Sequence, residues 1–256
     1  MKLPILIDID GVLRSGSFLL PGTQAFIHFL RENAFPFCLL SNSTKTGRED
    51  LIPFFEERGI QVDFPIITAL DVTKAYLETH YHSAKVFAIP SAFKWLDILP
   101  RENPEVIVVG DLGPGFTYPV LNEMLRDLMA GAELLAMQQN PFGRNEQGHY
   151  LDAGSFIAAL EYGSGKKAKL LGKPSPSYFD AALKLIGSSI NSPFVMIGDD
   201  LKVDVHAAMQ LGGTGILMLT GKTSKAMLEA QQECRPDLVA ENLSEVIQWI
   251  VANHGN

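Results

Sequence analysis

The chain has 256 residues, of which 46% are hydrophobic and 20% charged, and its 21 basic and 29 acidic side chains give a formal net charge of −8. This composition is typical of a globular protein, and it excludes disordered, collagen-like and coiled-coil chains as well as a nucleic-acid binder that relies on bulk positive charge. The sequence contains no run of about 20 apolar residues, which is the pattern that predicts a membrane span. Asp8 and Asp10 interrupt the apolar N-terminal segment too early for a signal peptide.

Short apolar or β-branched runs alternate along the chain with segments of helical period. In chain order we predict strands at residues 3–9, 35–40, 65–68, 85–89, 105–109, 133–136, 169–171, 194–197, 215–219 and 238–240. Between them we predict helices at residues 23–33, 50–58, 70–80, 118–130, 154–162, 177–185 and 202–210. This alternation predicts an α/β protein with a doubly wound, Rossmann-like parallel sheet that is covered on both faces.

Polar motifs cluster towards the two ends of the chain, whereas the middle has strands and helices without a comparable motif. A Gly-Ser-Gly-Lys-Lys stretch at residues 163–167 has the composition of a linker. We therefore predict a discontinuous core domain of residues 1–70 and 166–256, with an α/β domain of residues 71–165 inserted into it.

The first motif is a pair of aspartates, Asp8 and Asp10, at the end of the first predicted strand. Open parallel sheets place their active sites at the carboxyl ends of strands, and residues two apart in a strand point to the same side. Two neighbouring carboxylates repel one another unless a cation or a shared proton intervenes, so the pair indicates Mg²⁺ binding or acid–base chemistry. The alternative is a turn in which both side chains cap backbone amides.

Two further motifs carry groups suited to a phosphoryl anion. Ser41 and Asn42 follow the second apolar strand, where a hydroxyl and backbone amides suit a phosphate oxygen; the alternative is a turn that caps the next helix. Lys173 lies between a glycine and a proline directly after a strand. It can deliver a positive charge to a phosphoryl group or hold an aspartate ionised, although most surface lysines do neither.

The fourth motif again ends an apolar strand with carboxylates. Asp199 and Asp200 follow the strand at residues 194–197, and Asp204 falls in the first turn of the next helix. Asp204 is within reach of the same site, and it also suits a helix N-terminus, where the dipole stabilises an acid.

Taken together and in this order, the four motifs resemble those of the haloacid dehalogenase (HAD) superfamily of phosphohydrolases: Asp-x-Asp, Ser or Thr at the second strand end, Lys, and Gly-Asp-x-x-x-x-Asp. The stretches at residues 172–176 and 219–222 are similar to the branch with an inserted α/β cap of the C2 type, which includes the N-acetylglucosamine-6-phosphate and para-nitrophenyl phosphatases. The stretches at residues 151–154 and 159–162 are most similar, within it, to the phospholysine, phosphohistidine and inorganic pyrophosphate phosphatases.

This resemblance implies a Mg²⁺-dependent phosphatase with an aspartyl-phosphate intermediate. Asp8 would be the nucleophile, and Asp10 would protonate the leaving oxygen and later activate water. The implied ligands of Mg²⁺ are Asp8, Asp199 and the backbone carbonyl of Asp10. Lys173 would neutralise charge in the transition state.

The resemblance also implies supporting and substrate-binding roles. Ser41, Asn42 and Lys173 would bind the phosphoryl group, and Asp200 and Asp204 would orient groups beside the metal. Five loop residues of the inserted domain are candidates for substrate contact: Asp111, Phe116, Asn140, Arg144 and Asp152. The alternative is that these residues only form turns.

The expected substrate is a small phosphorylated metabolite, a phosphoamide or pyrophosphate. The rival interpretations are a catalytically weak protein of this fold that acts as a binding or regulatory module, a dehalogenase, and a dinucleotide-dependent oxidoreductase. Asp10 argues against the dehalogenase, and the glycine spacing at residues 110–115 argues against the oxidoreductase. Cys38 and Cys234 predict neither a disulfide nor a metal pair, which favours a reducing, cytoplasmic location. We expect no nucleic-acid or membrane partner, and the sequence allows a homodimer.

Overall fold

A computed structural model describes residues 2–96, 98–145 and 147–254 of the chain, without the side chains of Arg144 and Asn145. The strands of the described residues are β1 (Ile5–Asp8), β2 (Arg14–Ser15), β3 (Phe18–Leu19), β4 (Phe37–Ser41), β5 (Ile66–Thr68), β6 (Ala84–Phe87), β7 (Val106–Val109), β8 (Glu133–Ala136), β9 (Phe142–Asn145), β10 (Gly148–Leu151), β11 (Lys169–Leu170), β12 (Val195–Gly198), β13 (Thr214–Met218) and β14 (Leu238–Ala240). The α-helices are α1 (Thr23–Glu32), α2 (Arg48–Glu56), α3 (Ala69–His80), α4 (Pro90–Leu96), α5 (Tyr118–Ala130), α6 (Ala153–Ser164), α7 (Pro176–Leu185), α8 (Ala207–Gln210), α9 (Lys225–Glu229) and α10 (Leu243–His254).

The chain folds into two compact units, of which the first contains Met1–Ser41, Glu49–Ile67 and Lys173–Asn256. Its sheet has the strand order β14-β13-β12-β1-β4-β5, and β1 pairs in parallel with both β12 and β4. The chain first adds strands on one side of β1 and later adds β12 on the other. The gap between β1 and β12 is therefore the topological switch point, where open α/β sheets place their sites.

Side chains of alternating strand residues form the core of the first unit. Ile5 and Ile7 of β1, with Val195 and Ile197 of β12, lie in one cluster on one face of the sheet. Helix α1 contributes Phe26, Ile27 and Leu30 to this cluster, a spacing that places all three on one side of a helix. Leu6 of β1 is also fully buried, so β1 is apolar on both faces and its first polar side chain is Asp8.

The second unit contains Asn42–Arg48 and Thr68–Gly172. Its four-stranded sheet has the order β11-β8-β7-β6, all neighbours being parallel. Val106 and Val108 of β7 lie in one apolar cluster, whereas Ile107 and Val109 lie in another. Because neighbouring strand residues belong to different clusters, this sheet is also covered on both faces. A separate antiparallel hairpin is formed by β9 and β10.

The compact units are bounded differently from the predicted domains, whose division into core and inserted domain stays a prediction. Strand β11, expected in the core domain, pairs with β8 of the second unit. Residues 42–48 also belong to the second unit, where Lys45 forms an ion pair with Asp111.

The predicted fold class is confirmed: both units are built on parallel sheets covered by helices. Each of the predicted strands has a counterpart within two residues at its start, and the predicted helix at 202–210 is the main difference among the helices. Its first part, Leu201–His206, is a π-helical turn, and only Ala207–Gln210 is α-helical. The hairpin of β2 and β3, the hairpin of β9 and β10, and the helices α4, α9 and α10 are not among the predicted elements. No helix among the described residues is long and apolar enough to cross a membrane.

Candidate active site

Asp8 and Asp199 lie at the switch point of the first unit's sheet. Asp8 is the last residue of β1, and Asp199 directly follows β12, the parallel neighbour of β1. Both side chains are buried despite their charge, because they continue strands that run through the core. Burial of this kind is costly for a carboxylate without a partner, so the groups around them decide their chemistry.

Lys173 supplies the positive charge of this buried cluster. Its Nζ lies 2.5 Å from Asp8 Oδ1 and 2.7 Å from Asp204 Oδ1, and only 3% of its side chain is exposed. Burial lowers the pKa of Lys173, but the negative charges of Asp204 and Asp8 outweigh it, so the pKa lies well above its ordinary value. Lys173 is therefore a permanent ammonium held between two aspartates.

The carboxylates of the cluster are harder to ionise than ordinary aspartates. Burial raises the pKa of Asp8 well above its usual value; Lys173 opposes this rise, while Asp204 and Asp199 add to it. Burial and the charge of Asp204 raise the pKa of Asp199 to about 7, against the opposing effect of the Lys222 N–H. Burial likewise raises the pKa of Asp204, although Lys173 favours its ionised form. The cluster thus has more negative groups than Lys173 alone can balance.

Backbone at two glycines closes around the Asp199 carboxylate. A Cβ at Gly11 would come within 2.1 Å of Asp199 Oδ2, and a Cβ at Gly221 within 2.0 Å. Gly11 also has a positive φ of 85°, which a side chain disfavours. Both positions need glycine because the carboxylate fills the space that a side chain would take.

The loop after β13 holds the residues that follow β12. The Lys222 N–H donates to Asp199 Oδ2 at 2.7 Å, and the Leu201 N–H donates to Thr223 Oγ1 at 2.9 Å. Asp200 caps the π-helical turn by accepting from the Lys202 and Val203 N–H groups, and its other oxygen lies 2.5 Å from Lys222 Nζ. Burial alone would raise the pKa of Asp200, but the charge of Lys222 and the hydrogen bonds from these N–H groups outweigh the effect of burial, so the pKa lies below its ordinary value. Asp200 therefore orders the loop beside the cluster.

Ser41 ends β4 one residue beyond Leu40, the register partner of Asp8. Its carbonyl accepts a 2.8 Å hydrogen bond from the Tyr178 hydroxyl, which also donates to Ile67 O. Tyr178 is fully buried, and burial raises the pKa of its hydroxyl well above the ordinary value. This neutral donor links β4, the neighbour of β1, to β5 on the far side of β4.

Asp10 lies outside the buried cluster. About half of its side chain (53%) is exposed, and its carboxylate forms an ion pair with Arg14 at 2.8 Å. Asp8, Asp199 and Asp204, by contrast, offer oxygens that all lie within 4.8 Å of one another. The aspartate that joins the other two in the cluster is thus Asp204, whereas the family resemblance implies a position for Asp204 beside the metal and not a role as its ligand.

The candidate residues of the second unit have structural partners of their own. Asp152 is the N-cap of α6: its Oδ1 accepts from the Ala153 N–H at 2.7 Å and from Gln138 Nε2 at 3.0 Å. Asp111 pairs with Lys45, and the Phe116 ring stacks on Phe156 at 4.1 Å between centroids. The Asn140 carbonyl accepts from the Gly154 N–H. The side chain of Arg144 lies outside the described part of the chain.

Sequence reasoning missed the site functions of Tyr178, Arg14 and the loop at residues 220–223. The Thr-Gly-Lys run of that loop is visible in the sequence, but only as a mark of the family branch. Nothing local shows that Gly221 faces Asp199, since the two residues lie on different strand ends. From the sequence alone, a tyrosine on the buried side of a helix is assigned to the hydrophobic core, because the hydrogen-bond partners of its hydroxyl are not visible there.

The donor set of the cluster fits a hard divalent cation. When all three aspartates are ionised, three carboxylates face one ammonium in a buried place, and oxygen ligands of this kind are those that Mg²⁺ prefers. Gly11 and Gly221 leave the space beside the Asp199 carboxylate free of side chains of their own. Asp8, Asp199 and Asp204 are therefore able to hold a metal ion.

Comparisons with known proteins show which family the chain is similar to. A haloacid dehalogenase-like hydrolase model matches residues 5–94, and a HAD-hydrolase-like model matches residues 170–246. Haloacid dehalogenase-like hydrolase domain-containing protein 2 of Mus musculus is 29% identical over 248 residues, covering 96% of this chain and 95% of that protein. Phospholysine phosphohistidine inorganic pyrophosphate phosphatase of Rattus norvegicus is 28% identical over 254 residues, covering 96% of this chain and 93% of that protein.

A crystal structure of 4-nitrophenylphosphatase from Thermotoga maritima superposes with a TM-score of 0.85 at 28% identity, covering 96% of this chain and 97% of that one. The two family models lie over the residues that carry the buried cluster, Asp8 in one and Lys173, Asp199 and Asp204 in the other. The resemblance seen in the sequence is thereby confirmed: the chain belongs to the haloacid dehalogenase-like hydrolases, and its matched relatives include enzymes named phosphatases.

Proposed function

We propose that the protein is a Mg²⁺-dependent phosphohydrolase that acts through an aspartyl-phosphate at Asp8. The observation that carries this proposal is the buried cluster in which Asp8, at the end of β1, lies 2.5 Å from Lys173. One of its oxygens also lies within 4.8 Å of an oxygen of Asp199, directly after the adjacent strand β12, and of an oxygen of Asp204 in the π-helical turn that follows. A nucleophilic carboxylate must be aimed and partly relieved of its charge before it can approach a phosphoryl anion. Lys173 does both through one short contact.

The reaction has two displacements at phosphorus. In the first, an Asp8 oxygen bonds to phosphorus, the bond to the leaving oxygen breaks, and Asp10 gives that oxygen its proton. In the second, a water oxygen bonds to phosphorus, its proton passes to Asp10, and the Asp8–phosphorus bond breaks to release phosphate. Asp10 ends the cycle protonated, as it began.

Charge balance explains the roles of the remaining residues of the first unit. Lys173 stabilises negative charge on Asp8 and on the phosphoryl oxygens. Asp204 keeps the Lys173 ammonium in place from its other side. A Mg²⁺ ion held by Asp8, Asp199 and the Asp10 carbonyl, with Asp204 close by, would supply the positive charge that the excess of carboxylates lacks. Ser41, at the end of the strand next to Asp8, is proposed to bind a phosphoryl oxygen.

The substrate is proposed to be a small phosphorylated metabolite, a phosphoamide or pyrophosphate. The relatives that support this class are named for nitrophenyl phosphate and for phospholysine, phosphohistidine and pyrophosphate. The roles of Asn42 and Asp152 as substrate-binding residues, and of residues 71–165 as a C2-type cap, remain predictions that the resemblance implies. Asp152 already serves as a helix cap, so its substitution would also test helix stability.

The experiment is a panel of phosphorylated compounds that includes para-nitrophenyl phosphate, a sugar phosphate, a phosphoamide and pyrophosphate. Wild-type protein should hydrolyse at least one of them with Mg²⁺ and none with EDTA, and Asp8→Asn should be inactive while still folded. Asp180→Asn is the matched control, because Asp180 pairs with Lys184 on a surface helix and should leave activity unchanged. Turnover by Asp8→Asn near the wild-type rate, or equal rates in EDTA, would refute the proposal. Inactivity of the wild type on the whole panel would favour the binding-module interpretation.

A further inference from the structure

Arg14, the first residue of the hairpin that follows Asp10, forms an ion pair with the Asp10 carboxylate. Arg14 Nε lies 2.8 Å from Asp10 Oδ1, and Arg14 Nη2 lies 3.4 Å from Asp10 Oδ2. A guanidinium that faces both oxygens of a carboxylate fixes the orientation of that group as well as its distance. Arg14 belongs to none of the four motifs of the sequence.

The backbone around Arg14 is held as firmly as its head group. The Arg14 N–H donates to Ile9 O at 3.0 Å, and the Gly11 N–H donates to Arg14 O at 2.8 Å. These bonds close the turn between β1 and β2, so Asp10 and Arg14 face each other across it. The side chain of Arg14 is 13% exposed, which is low for an arginine.

An aromatic ring from α2 supports the guanidinium. Arg14 Cζ lies 4.9 Å from the centroid of Phe54, and Arg58 Cζ lies 4.0 Å from the same centroid. Arg58 also donates to Phe54 O at 2.8 Å and to Ser17 O at 3.1 Å, which ties the hairpin to the helix. A cation–π contact of this type attracts the guanidinium to the ring face and so restricts where it lies. All of these residues belong to the first unit.

Asp10 needs such support because its side chain is half exposed and is not part of the buried cluster. An exposed carboxylate samples several rotamers, and proton transfer requires it within hydrogen-bond reach of the reacting oxygen. We propose that Arg14 is a positioning residue that holds the Asp10 carboxyl group, a carboxylic acid in the first step and a carboxylate in the second, in the orientation used for both proton transfers. This inference rests on the proposed function, in which Asp10 is the acid and base.

The two chemical steps respond differently to a misplaced Asp10. An alkyl leaving oxygen needs its proton as the bond to phosphorus breaks, whereas para-nitrophenolate leaves without one. The second step always needs Asp10, because water must lose a proton as it attacks. Loss of positioning should therefore slow alkyl phosphate turnover strongly, and with para-nitrophenyl phosphate it should let the aspartyl-phosphate accumulate.

The test compares Arg14→Gln, Arg14→Lys and Asp10→Asn with wild type on para-nitrophenyl phosphate and on glycerol phosphate. Since general acid–base catalysis contributes about 10²- to 10⁴-fold, loss of orientation alone should lower kcat for glycerol phosphate roughly 10- to 100-fold with little change in KM. Arg14→Gln should lower kcat for para-nitrophenyl phosphate less, and should show a burst of nitrophenol before the steady state. Arg14→Lys, which keeps the charge and one hydrogen bond, should recover part of the loss.

Arg31→Gln is the charge-matched control, because Arg31 pairs with Asp63 on the same unit and does not contact Asp10. The inference is overturned if Arg14→Gln slows both substrates equally without a burst, or if it matches Arg31→Gln, since both results describe a merely structural arginine. It is also overturned if Asp10→Asn lacks the leaving-group effect while wild type stays active. Failure of the proposed function looks different, because then wild type itself lacks Mg²⁺-dependent turnover or Asp8→Asn retains it.

Discussion

In the absence of divalent cations, the stability of the first unit should fall as the pH rises. Asp199 has its pKa raised from 3.8 to about 7 by burial and by Asp204, so the folded protein binds a proton more tightly than the unfolded chain does. Stability that depends on this proton is fully present below the unfolded pKa and is lost as the pH rises through the folded pKa. In EDTA, stability should therefore fall between about pH 4 and pH 8.

The size of the effect follows from the two pKa values. A difference of about 3 units at about 1.4 kcal/mol per unit gives about 4 kcal/mol in all, of which about 3 kcal/mol should be lost between pH 5 and pH 8. Asp8, whose pKa burial also raises, should steepen the fall. Mg²⁺ binds the ionised carboxylates, so it should stabilise the protein more at pH 8 than at pH 5 and flatten the dependence.

The assay is urea unfolding at pH 5, 6, 7 and 8, in EDTA and in Mg²⁺, followed by tryptophan fluorescence. The chain has 2 tryptophans, so a Trp95→Phe background leaves Trp249 of α10 as a reporter of the first unit. Asp199→Asn should reduce the slope in EDTA, whereas Asp180→Asn should keep it, because Lys184 lowers the pKa of Asp180 out of this range. Stability in EDTA that stays constant or rises from pH 5 to pH 8, or an unchanged slope in Asp199→Asn, would refute the reasoning.

Two further substitutions test the balance of charge and space in the cluster. Lys173→Met leaves buried Asp8 and Asp204 without their cation, so it should lower the free energy of unfolding by about 3–5 kcal/mol at pH 8 in EDTA, and by less at pH 5. The same urea titration measures this loss, with substitution of the exposed Lys184 (Lys184→Met) as the control. An equal loss at both pH values would contradict this reasoning. Gly221→Ala brings a Cβ within 2.0 Å of Asp199 Oδ2, so it should abolish the Mg²⁺ binding that calorimetry measures. Gly163→Ala is the control and should not affect binding, because the atom nearest to its new Cβ is 3.5 Å away. Wild-type affinity in Gly221→Ala would show that the Asp199 carboxylate does not need this space.

The sheet and the buried part of the site were predictable because they follow from local pattern. Apolar runs such as those at residues 3–9 and 194–197 end in aspartates, and parallel strands bring their carboxyl ends to one edge. The resemblance of the motifs to one family then implied that Lys173 acts beside Asp8 and Asp204, and the structure brings Lys173 Nζ within 2.7 Å or less of an oxygen of each.

The remaining features depend on contacts between distant parts of the chain. The helix at residues 202–210 has an ordinary helical pattern, which does not show that its first part is a π-helical turn packed against β12 and β13. Short strands such as β2 and β3 carry too few residues to show a period. Arg14 follows Asp10 by only four positions, yet its fixed orientation comes from Phe54 on α2, which the local sequence does not reveal.

The central claim is that Asp8 forms a covalent bond to phosphorus during turnover. Wild-type protein should be quenched during steady-state hydrolysis with Mg²⁺ and treated with borohydride, which reduces an aspartyl-phosphate to homoserine, and the digest should then be sequenced by mass spectrometry. The account predicts homoserine at position 8 in wild type, more of it in Arg14→Gln with para-nitrophenyl phosphate, and none without substrate. An unmodified Asp8 in every active sample, or modification at another aspartate, would contradict the account.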